Sequence, residues 1–239
     1  MKLITTFVLL IFLLGCAKET INGMNKITTP ETGPPTDQLS YLAMGDSYTI
    51  GEQVTQMESF PYQLTVSLSK QALNLSAPKI IATTGWTTGE LIAGIKAENL
   101  NRKYDLVTLL IGVNNQYRGN SIAIYRNEFK ELLKTAVGFA GGNTAHVFVV
   151  SIPDWGSTAY GAQSGRDVKA IAREIDAFNT VNREETLQAG ISYTDITPGS
   201  RKASADASLI TTDGLHPSGK MYKEWAEALS PSVIKAFKN

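Results

Sequence analysis

Cysteine is nearly absent from this sequence of 239 residues, which contains one, Cys16, and histidine is almost as rare, with two. A lone cysteine cannot form a disulfide within the chain, and a free thiol is a liability in an oxidising compartment. Any function that needs an imidazole must therefore use His146 or His216.

The sequence also lacks net charge, because 22 Lys and Arg residues balance 22 Asp and Glu residues. No global field attracts a polyanion or presses the protein onto an acidic membrane, so we expect no nucleic-acid partner. The chain contains no internal repeat. With 43% hydrophobic residues, it is long enough to bury a complete core in one domain. The sequence makes no prediction of oligomeric state.

The apolar run at residues 7–14 is too short to cross a bilayer of roughly 30 Å, but with Lys2 before it, it matches a signal-peptide core. The run ends in Leu13-Leu14-Gly15-Cys16, which resembles the bacterial lipobox. We therefore predict a lipoprotein signal peptide at 1–15 and an exported protein that Cys16 anchors by lipid to the bacterial cell envelope. The alternative is an ordinary signal peptide with a chance cysteine.

Residues 16–38 are rich in Thr, Pro, Gly, Asn and Lys and have no apolar periodicity. Burying them would not offset the cost of ordering the chain, so we predict a flexible tether that precedes a folded domain at 39–239. Ala17 after the cysteine, in place of Asp, favours the outer membrane or cell surface by analogy with lipoprotein sorting.

From residue 39 onward, short apolar runs alternate with longer segments whose apolar residues recur every three or four positions. The short runs predict strands at 40–44, 79–82, 106–111, 146–151 and 191–194. The longer segments predict helices at 62–73, 88–98, 121–137, 168–188 and 218–237. This alternation predicts an α/β fold, a three-layer α/β/α sandwich around a mostly parallel five-stranded sheet.

Polar and glycine-rich segments follow the predicted strands, where parallel sheets place their sites. They are Gly45-Asp46-Ser47, Thr84-Gly85-Trp86, Gly112-Val113-Asn114-Asn115 and Pro153-Asp154-Trp155-Gly156. A fifth segment, Asp213-Gly214-Leu215-His216-Pro217, precedes the last predicted helix.

Ser47, in the first of these segments, is a candidate nucleophile. A serine nucleophile needs an imidazole to take its proton and a carboxylate to orient that imidazole. His146 lies at the amino end of its predicted strand, away from the carboxyl ends where the site is expected. We therefore expect a structural or solvent-facing role for it. His216 lies three residues after Asp213, a spacing that brings both side chains together.

Acyl transfer also requires donors aimed at a developing oxyanion. Three candidates lie at adjacent strand ends: the backbone N–H of Ser47, the backbone N–H of Gly85 and the side-chain amide of Asn114. Each of these residues alone is also explained by an ordinary structural role. A glycine after a strand is commonly a turn residue. Likewise, Asp213-Gly214 is typical of a turn and His216-Pro217 of a helix start.

Together these blocks resemble the SGNH, or GDSL-type, hydrolase family, over roughly residues 39–237. The resemblance implies a flavodoxin-like fold, Ser47 as nucleophile, His216 as base, Asp213 as its orienter, an oxyanion hole of Ser47, Gly85 and Asn114, and no metal or organic cofactor. The third block contains Asn115 where the family usually has Asp. We therefore expect the hydrogen bonding of this loop and the fit of the substrate to differ from those of the family. We expect Asp46 to be a structural hydrogen-bonding residue, not a second base.

The expected activity is hydrolysis of a small-molecule or glycan ester, by a carbohydrate acetylesterase or a lysophospholipase-like enzyme. Transfer of the acyl group to another alcohol uses the same residues. A catalytically inactive ligand-binding or glycan-binding lipoprotein is the alternative of another class. Trp86, Asn115 and Trp155 are candidate substrate-binding residues, and both tryptophans also fit plain core packing. The segments 153–166 and 197–212 are read as flaps over the pocket or as ordinary surface loops.

Overall fold

A sheet of five parallel strands forms the centre of the structure, a computed structural model that describes residues 38–238. The strands are β1 (Tyr41–Gly45), β2 (Lys79–Ala82), β3 (Leu106–Leu110), β4 (Val147–Val150) and β5 (Ser192–Thr194). β1, β3 and β4 are buried at every position, because helices cover both faces of the sheet. The predicted signal peptide, Cys16 and all but the last residue of the tether lie outside the described residues.

All five predicted strands are present, and their ends differ from the prediction by at most a few residues. Ser40, predicted as the first residue of β1, instead bonds through its backbone and side chain to the carboxylate of Asp105. His146, predicted to open β4, belongs to a 3₁₀ turn, and its ring stacks on Phe237 at 4.3 Å. His146 is therefore a half-buried packing residue.

The helices are α1 (Ser47–Ile50), α2 (Phe60–Ser69), α3 (Thr88–Glu98), α4 (Val113–Tyr117), α5 (Ile122–Phe139), α6 (Ala159–Gln163), α7 (Val168–Gln188), α8 (Thr197–Ser200) and α9 (Gly219–Lys238). The predictions for α3 and α7 have the observed bounds. The prediction for α2 is displaced, because Pro61 occupies the first turn and the left-handed φ of 57° at Ala72 lies beyond the helix end. The short helices were not predicted from periodicity.

The helices form two layers, one on each face of the sheet. α5 packs between α3 and α7 in one layer, and α2 packs along α9 in the other. The strand order β2-β1-β3-β4-β5 is that of flavodoxin-like folds. Within residues 38–238, no helix is both long and apolar enough to cross a membrane. The same residues contain no cluster of acidic, histidine or cysteine side chains suited to a metal ion.

The register of the sheet brings three strand ends to one level. Gly45 at the end of β1 lies opposite Ala82 of β2 and Leu110 of β3. The chain leaves β1 towards β2 on one side, and β3 lies on the other, so this is the point where the strand order reverses. In open parallel sheets such a switch point forms a crevice at the carboxyl ends of the strands.

Candidate active site

Ser47 is the first residue of the short helix α1, directly after β1. Asp46 caps this helix, because its Oδ1 accepts a hydrogen bond of 3.0 Å from the backbone N–H of Tyr48. A left-handed Gly51, with φ of 81°, ends the helix after one turn. These two caps hold Ser47, which is 5% exposed, at the rim of the sheet.

Asp46 is fully buried behind Ser47, and its second carboxylate oxygen has no hydrogen-bond partner among residues 38–238. Burial raises the pKa of Asp46 to about 7, against the lowering effect of hydrogen bonds from the backbone of Tyr48 and from its own. The prediction of a structural role for Asp46 agrees with its position as a helix cap.

His216 lies in a loop that is fixed by the carboxylate of Asp213. Asp213 Oδ2 lies 2.6 Å from Nδ1 of the His216 ring, and Oδ1 accepts hydrogen bonds from the backbone N–H groups of Leu215 and His216. Partial burial opposes ionisation of Asp213, but these hydrogen bonds outweigh it and lower its pKa to about 2. The carboxylate is therefore ionised at neutral pH and holds the imidazole in one orientation.

Ser47 and His216 line the same cleft, which has a volume of about 190 Å³ and which we call the Ser47 cleft. Tyr48 lies between them in the wall, with its ring 5.7 Å from that of His216. Asp213 occupies Nδ1 of His216 and leaves Nε2 for another partner. No hydrogen bond joins Ser47 Oγ to Nε2 within the described residues, and such catalytic contacts often tighten only when substrate binds.

Donor groups from two more strand ends line the Ser47 cleft, at Gly85 and Asn114. Gly85 adopts a left-handed φ of 82°, which turns the backbone after β2. Asn114 lies in α4 and donates one side-chain N–H to the carbonyl of Trp86 at 2.9 Å. Because an amide nitrogen carries two N–H groups, the second remains available to a ligand in the cleft.

Arg118 fixes the turn that contains Gly85. One guanidinium nitrogen of Arg118 donates to the carbonyl of Gly85, and another donates to the carboxylate of Glu90 at 3.1 Å. Glu90 in turn accepts a hydrogen bond from the backbone N–H of Thr87 at the start of α3. Arg118 was not predicted from the sequence, because no local pattern links it to the turn at Gly85.

The candidate substrate-binding residues separate in the structure. Trp155 lines the Ser47 cleft but is 2% exposed, and its indole N–H donates to Gln116 at 2.7 Å. Trp86 does not line the cleft, because its ring lies against Gly94 of α3. Asn115 is fully buried and exchanges two hydrogen bonds with Thr88, so in this position it joins α4 to α3 and has no surface for a substrate.

Tyr117 and Tyr160 also line the Ser47 cleft. Neither tyrosine was predicted from the sequence to belong to the site. Their hydroxyl oxygens are 2.9 Å apart. Tyr160 belongs to the segment 153–166, which contains short helices and is joined to the His216 loop by a hydrogen bond from the Tyr160 N–H to the carbonyl of Gly214. The segment 197–212 likewise contains short helices and bonds to that loop through Thr211.

A comparison with curated protein sequences gives no match. Many solved structures share the fold. The lipase/acylhydrolase from Enterococcus faecalis is 19% identical, with a TM-score of 0.63 over 82% of this chain and 95% of that one. A psychrotrophic esterase from Pseudoalteromonas sp., solved with monoethylphosphonate as inhibitor, is 16% identical, with a TM-score of 0.62 over 84% and 100%.

A variant of an acetyl xylan esterase from Geobacillus stearothermophilus is 15% identical, with a TM-score of 0.59 over 82% of this chain and 94% of that one. At these identities the structures establish a shared fold. The sequence itself matches the family model described as "GDSL-like Lipase/Acylhydrolase family" over residues 43–224, which contain most of β1, all of β2 to β5 and the loop of His216. The chain therefore belongs to the GDSL-like lipase/acylhydrolase family and is a hydrolase of that family.

Proposed function

We propose that this protein is a serine esterase in which Ser47 is the nucleophile, His216 the general base and Asp213 the residue that orients it. One observation carries the proposal: Ser47 and His216 line one cleft, and the ring of His216 is held by Asp213 at 2.6 Å. An ionised carboxylate at Nδ1 fixes the tautomer in which Nε2 accepts a proton. The low pKa of Asp213, about 2, keeps it ionised throughout the neutral range.

In the proposed reaction, His216 takes the proton of Ser47 Oγ while that oxygen attacks the ester carbonyl. The N–H groups of Ser47, Gly85 and Asn114 donate hydrogen bonds to the oxyanion that forms, and each such donor is worth about 3 kcal/mol. The protonated imidazole then gives its proton to the departing alcohol. Water, activated by the same imidazole, releases the acid from Ser47 and completes hydrolysis.

The Ser47 cleft suits a short acyl group. Its volume of about 190 Å³ lies below the roughly 300–1,000 Å³ of typical ligand pockets. Val113, Leu215 and the ring of Trp155 give it apolar walls. We therefore favour an acetylesterase that acts on a carbohydrate, the activity named for the related Geobacillus structure, over a lysophospholipase-like enzyme.

The test is the Ser47→Ala variant assayed on 4-nitrophenyl acetate and labelled with a fluorophosphonate. We expect turnover to fall by at least about a thousand-fold and labelling to disappear, because the attacking oxygen is gone. Ser69→Ala, an exposed position at the end of α2, is the matched control and should behave as the parent protein.

Circular dichroism should show that Ser47→Ala keeps the parental fold, since no side-chain hydrogen bond is lost. Parental activity in Ser47→Ala would show that another residue is the nucleophile. A parent protein that is folded but neither turns over the ester nor reacts with the fluorophosphonate would instead be a binding module, which is the alternative function.

We also propose that the protein is exported and anchored through a lipid on Cys16 to the bacterial cell envelope, at the outer membrane or cell surface. The support is the signal-like run at 7–14 and the lipobox-like sequence that ends at Cys16. An envelope location would place the esterase among cell-surface or environmental glycans, which agrees with a carbohydrate ester as substrate.

A further inference from the structure

A second, larger cavity adjoins the Ser47 cleft and has a volume of about 780 Å³. We call it the polar groove. Tyr117 and Tyr160 line both cavities, so the two meet at this pair of rings. Asp213, Gln163 and Thr212 line the groove beyond the tyrosines, and Ser47 does not. A substrate bound at Ser47 can therefore extend into the groove past the tyrosine pair.

The polar groove adjoins His216, the proposed base. Asp213 forms part of the groove wall and also holds the ring of His216. In the proposed reaction the imidazole delivers a proton to the leaving oxygen, so that oxygen must lie next to His216. The acyl group then occupies the Ser47 cleft, and the alcohol part extends along the wall formed by Asp213 and Gly214.

Both charged side chains in the groove wall already have hydrogen-bonded partners. Arg166 is the one cation in this wall within the described residues, and its guanidinium donates to the carboxylate of Glu174 at 2.7 Å. The carboxylate of Asp213 is hydrogen-bonded to the ring of His216. The remaining polar lining consists of the hydroxyls of Tyr117, Tyr160, Ser164 and Thr212 and the amide of Gln163. Such a wall offers many neutral donors and acceptors but no uncompensated positive charge for a phosphate.

The tyrosine pair is also unusually accessible for aromatic side chains, with Tyr117 46% and Tyr160 38% exposed. Trp155 supports both rings from below, at centroid distances of 5.2 and 6.1 Å. The hydrogen bond between their hydroxyls raises the pKa of Tyr160. Fixed aromatic rings with polar tips suit a ligand that has both apolar faces and hydroxyl edges.

From these contacts we propose that the polar groove binds the alcohol part of the ester, and that this alcohol is a neutral, hydroxyl-rich molecule such as a sugar and not a phosphate-bearing one. Tyr160 and Gln163 are its specificity-determining residues. The inference rests on the proposed esterase function of Ser47, and it adds where the leaving alcohol binds, which residues select it and that it carries no phosphate.

The first experiment keeps the acyl group constant and varies the alcohol. The esters are 3-O-acetyl glucose, 3-O-acetyl glucose 6-phosphate and 4-nitrophenyl acetate. We expect kcat/KM to be at least ten-fold higher for the neutral sugar ester than for its phosphate. Equal rates, or a preference for the phosphate, would overturn the inference while leaving Ser47-dependent hydrolysis intact.

The second experiment removes two hydrogen-bonding groups from the groove in the double variant Tyr160→Phe with Gln163→Ala. Its control, Tyr62→Phe with Gln188→Ala, removes the same groups from positions that line neither cavity. We expect the ratio of kcat/KM for 3-O-acetyl glucose to that for 4-nitrophenyl acetate to fall at least five-fold in the groove variant, because two hydrogen bonds are lost. The control ratio should equal that of the parent.

An unchanged ratio in the groove variant, or an equal fall in the control, would show that the groove does not select the alcohol. If the parent protein turned over neither ester and did not react with a fluorophosphonate, the esterase function itself would be wrong and the inference with it. The two failures are distinguished by the activity on 4-nitrophenyl acetate.

Discussion

Asp46 is a buried acid that must serve as a helix cap next to the candidate nucleophile. Its Oδ1 caps α1, while Oδ2 has no partner among the described residues. Burial raises its pKa to about 7, well above the 3.8 of an exposed aspartate. Folding therefore favours the protonated form, and ionisation of Asp46 at higher pH opposes folding.

This linkage predicts the behaviour of Asp46→Asn. Between about pH 4 and pH 7 the unfolded chain has lost the Asp46 proton while the folded chain keeps it, so the parent loses stability as the pH rises. Asparagine does not titrate and can still cap α1. The stability of the variant relative to the parent should thus rise across this window, by up to roughly 4 kcal/mol, and then remain constant.

Urea unfolding of both proteins at pH 5, 6, 7 and 8 measures this difference. Because every other titrating group is common to the two proteins, the change in the difference isolates Asp46. A difference that did not vary with pH would mean that Asp46 titrates alike in the folded and unfolded chains.

At the level of single residues, the sequence identified the groups with a strong chemical signature. Ser47, His216 and Asp213 were predicted because few residue types perform the proposed chemistry and because only two histidines were available. The structure places Ser47 and His216 in one cleft and Asp213 against the ring of His216. Tyr117 and Tyr160 were not assigned to the site, since they are far apart in the chain and become neighbours only through the packing of α4 and α6. No local pattern reports such a contact.

The central strands pack so closely at the site that one position tolerates no side chain. A Cβ on Gly45, the last residue of β1, would overlap the carbonyl oxygen of Leu110 on β3 and Oγ1 of Thr49 on α1. The absence of a side chain here lets α1 begin directly above the sheet. The spacing of β1, β3 and α1 therefore depends on this glycine.

We expect Gly45→Ala to destabilise the protein by about 1–3 kcal/mol, because the carbonyl of β3 cannot move without disturbing the ladder. Gly138→Ala is the matched control: it lies in α5 with nothing within 4 Å of the added Cβ. Since alanine favours a helix over glycine, the control should stabilise the protein by about 0.5–1 kcal/mol. Thermal unfolding of both variants provides the comparison, and equal shifts would contradict this account.

Among the elements, the central strands were predicted well because strands buried on both faces appear as short continuous apolar runs. The long helices were predicted well because burial of one face imposes a period on them. The bounds of α3 and α7 follow from apolar residues that recur along one face. α1, α4, α6 and α8 have four or five residues each, too few to display a period. They are set by local caps, such as Asp46 and Thr158, which resemble ordinary turn residues in the sequence.

For the molecule as a whole, the balance of 22 basic and 22 acidic residues means that its location does not follow from its charge. Attachment to a membrane would depend on the proposed lipid at Cys16. In a bacterial host, the parent should incorporate a labelled fatty acid and partition into the detergent phase, whereas Cys16→Ser should do neither. A parent chain without label would reject the anchor and leave an ordinary exported enzyme.

The two ends of the fold must meet before the site exists. Ser47 follows the first strand, and the His216 loop immediately precedes α9, which completes its layer by packing along α2. During synthesis the hydroxyl of Ser47 emerges well before the imidazole of His216. With the proposed roles of these two residues, the growing chain carries its nucleophile without a base until the His216 loop and α9 have docked.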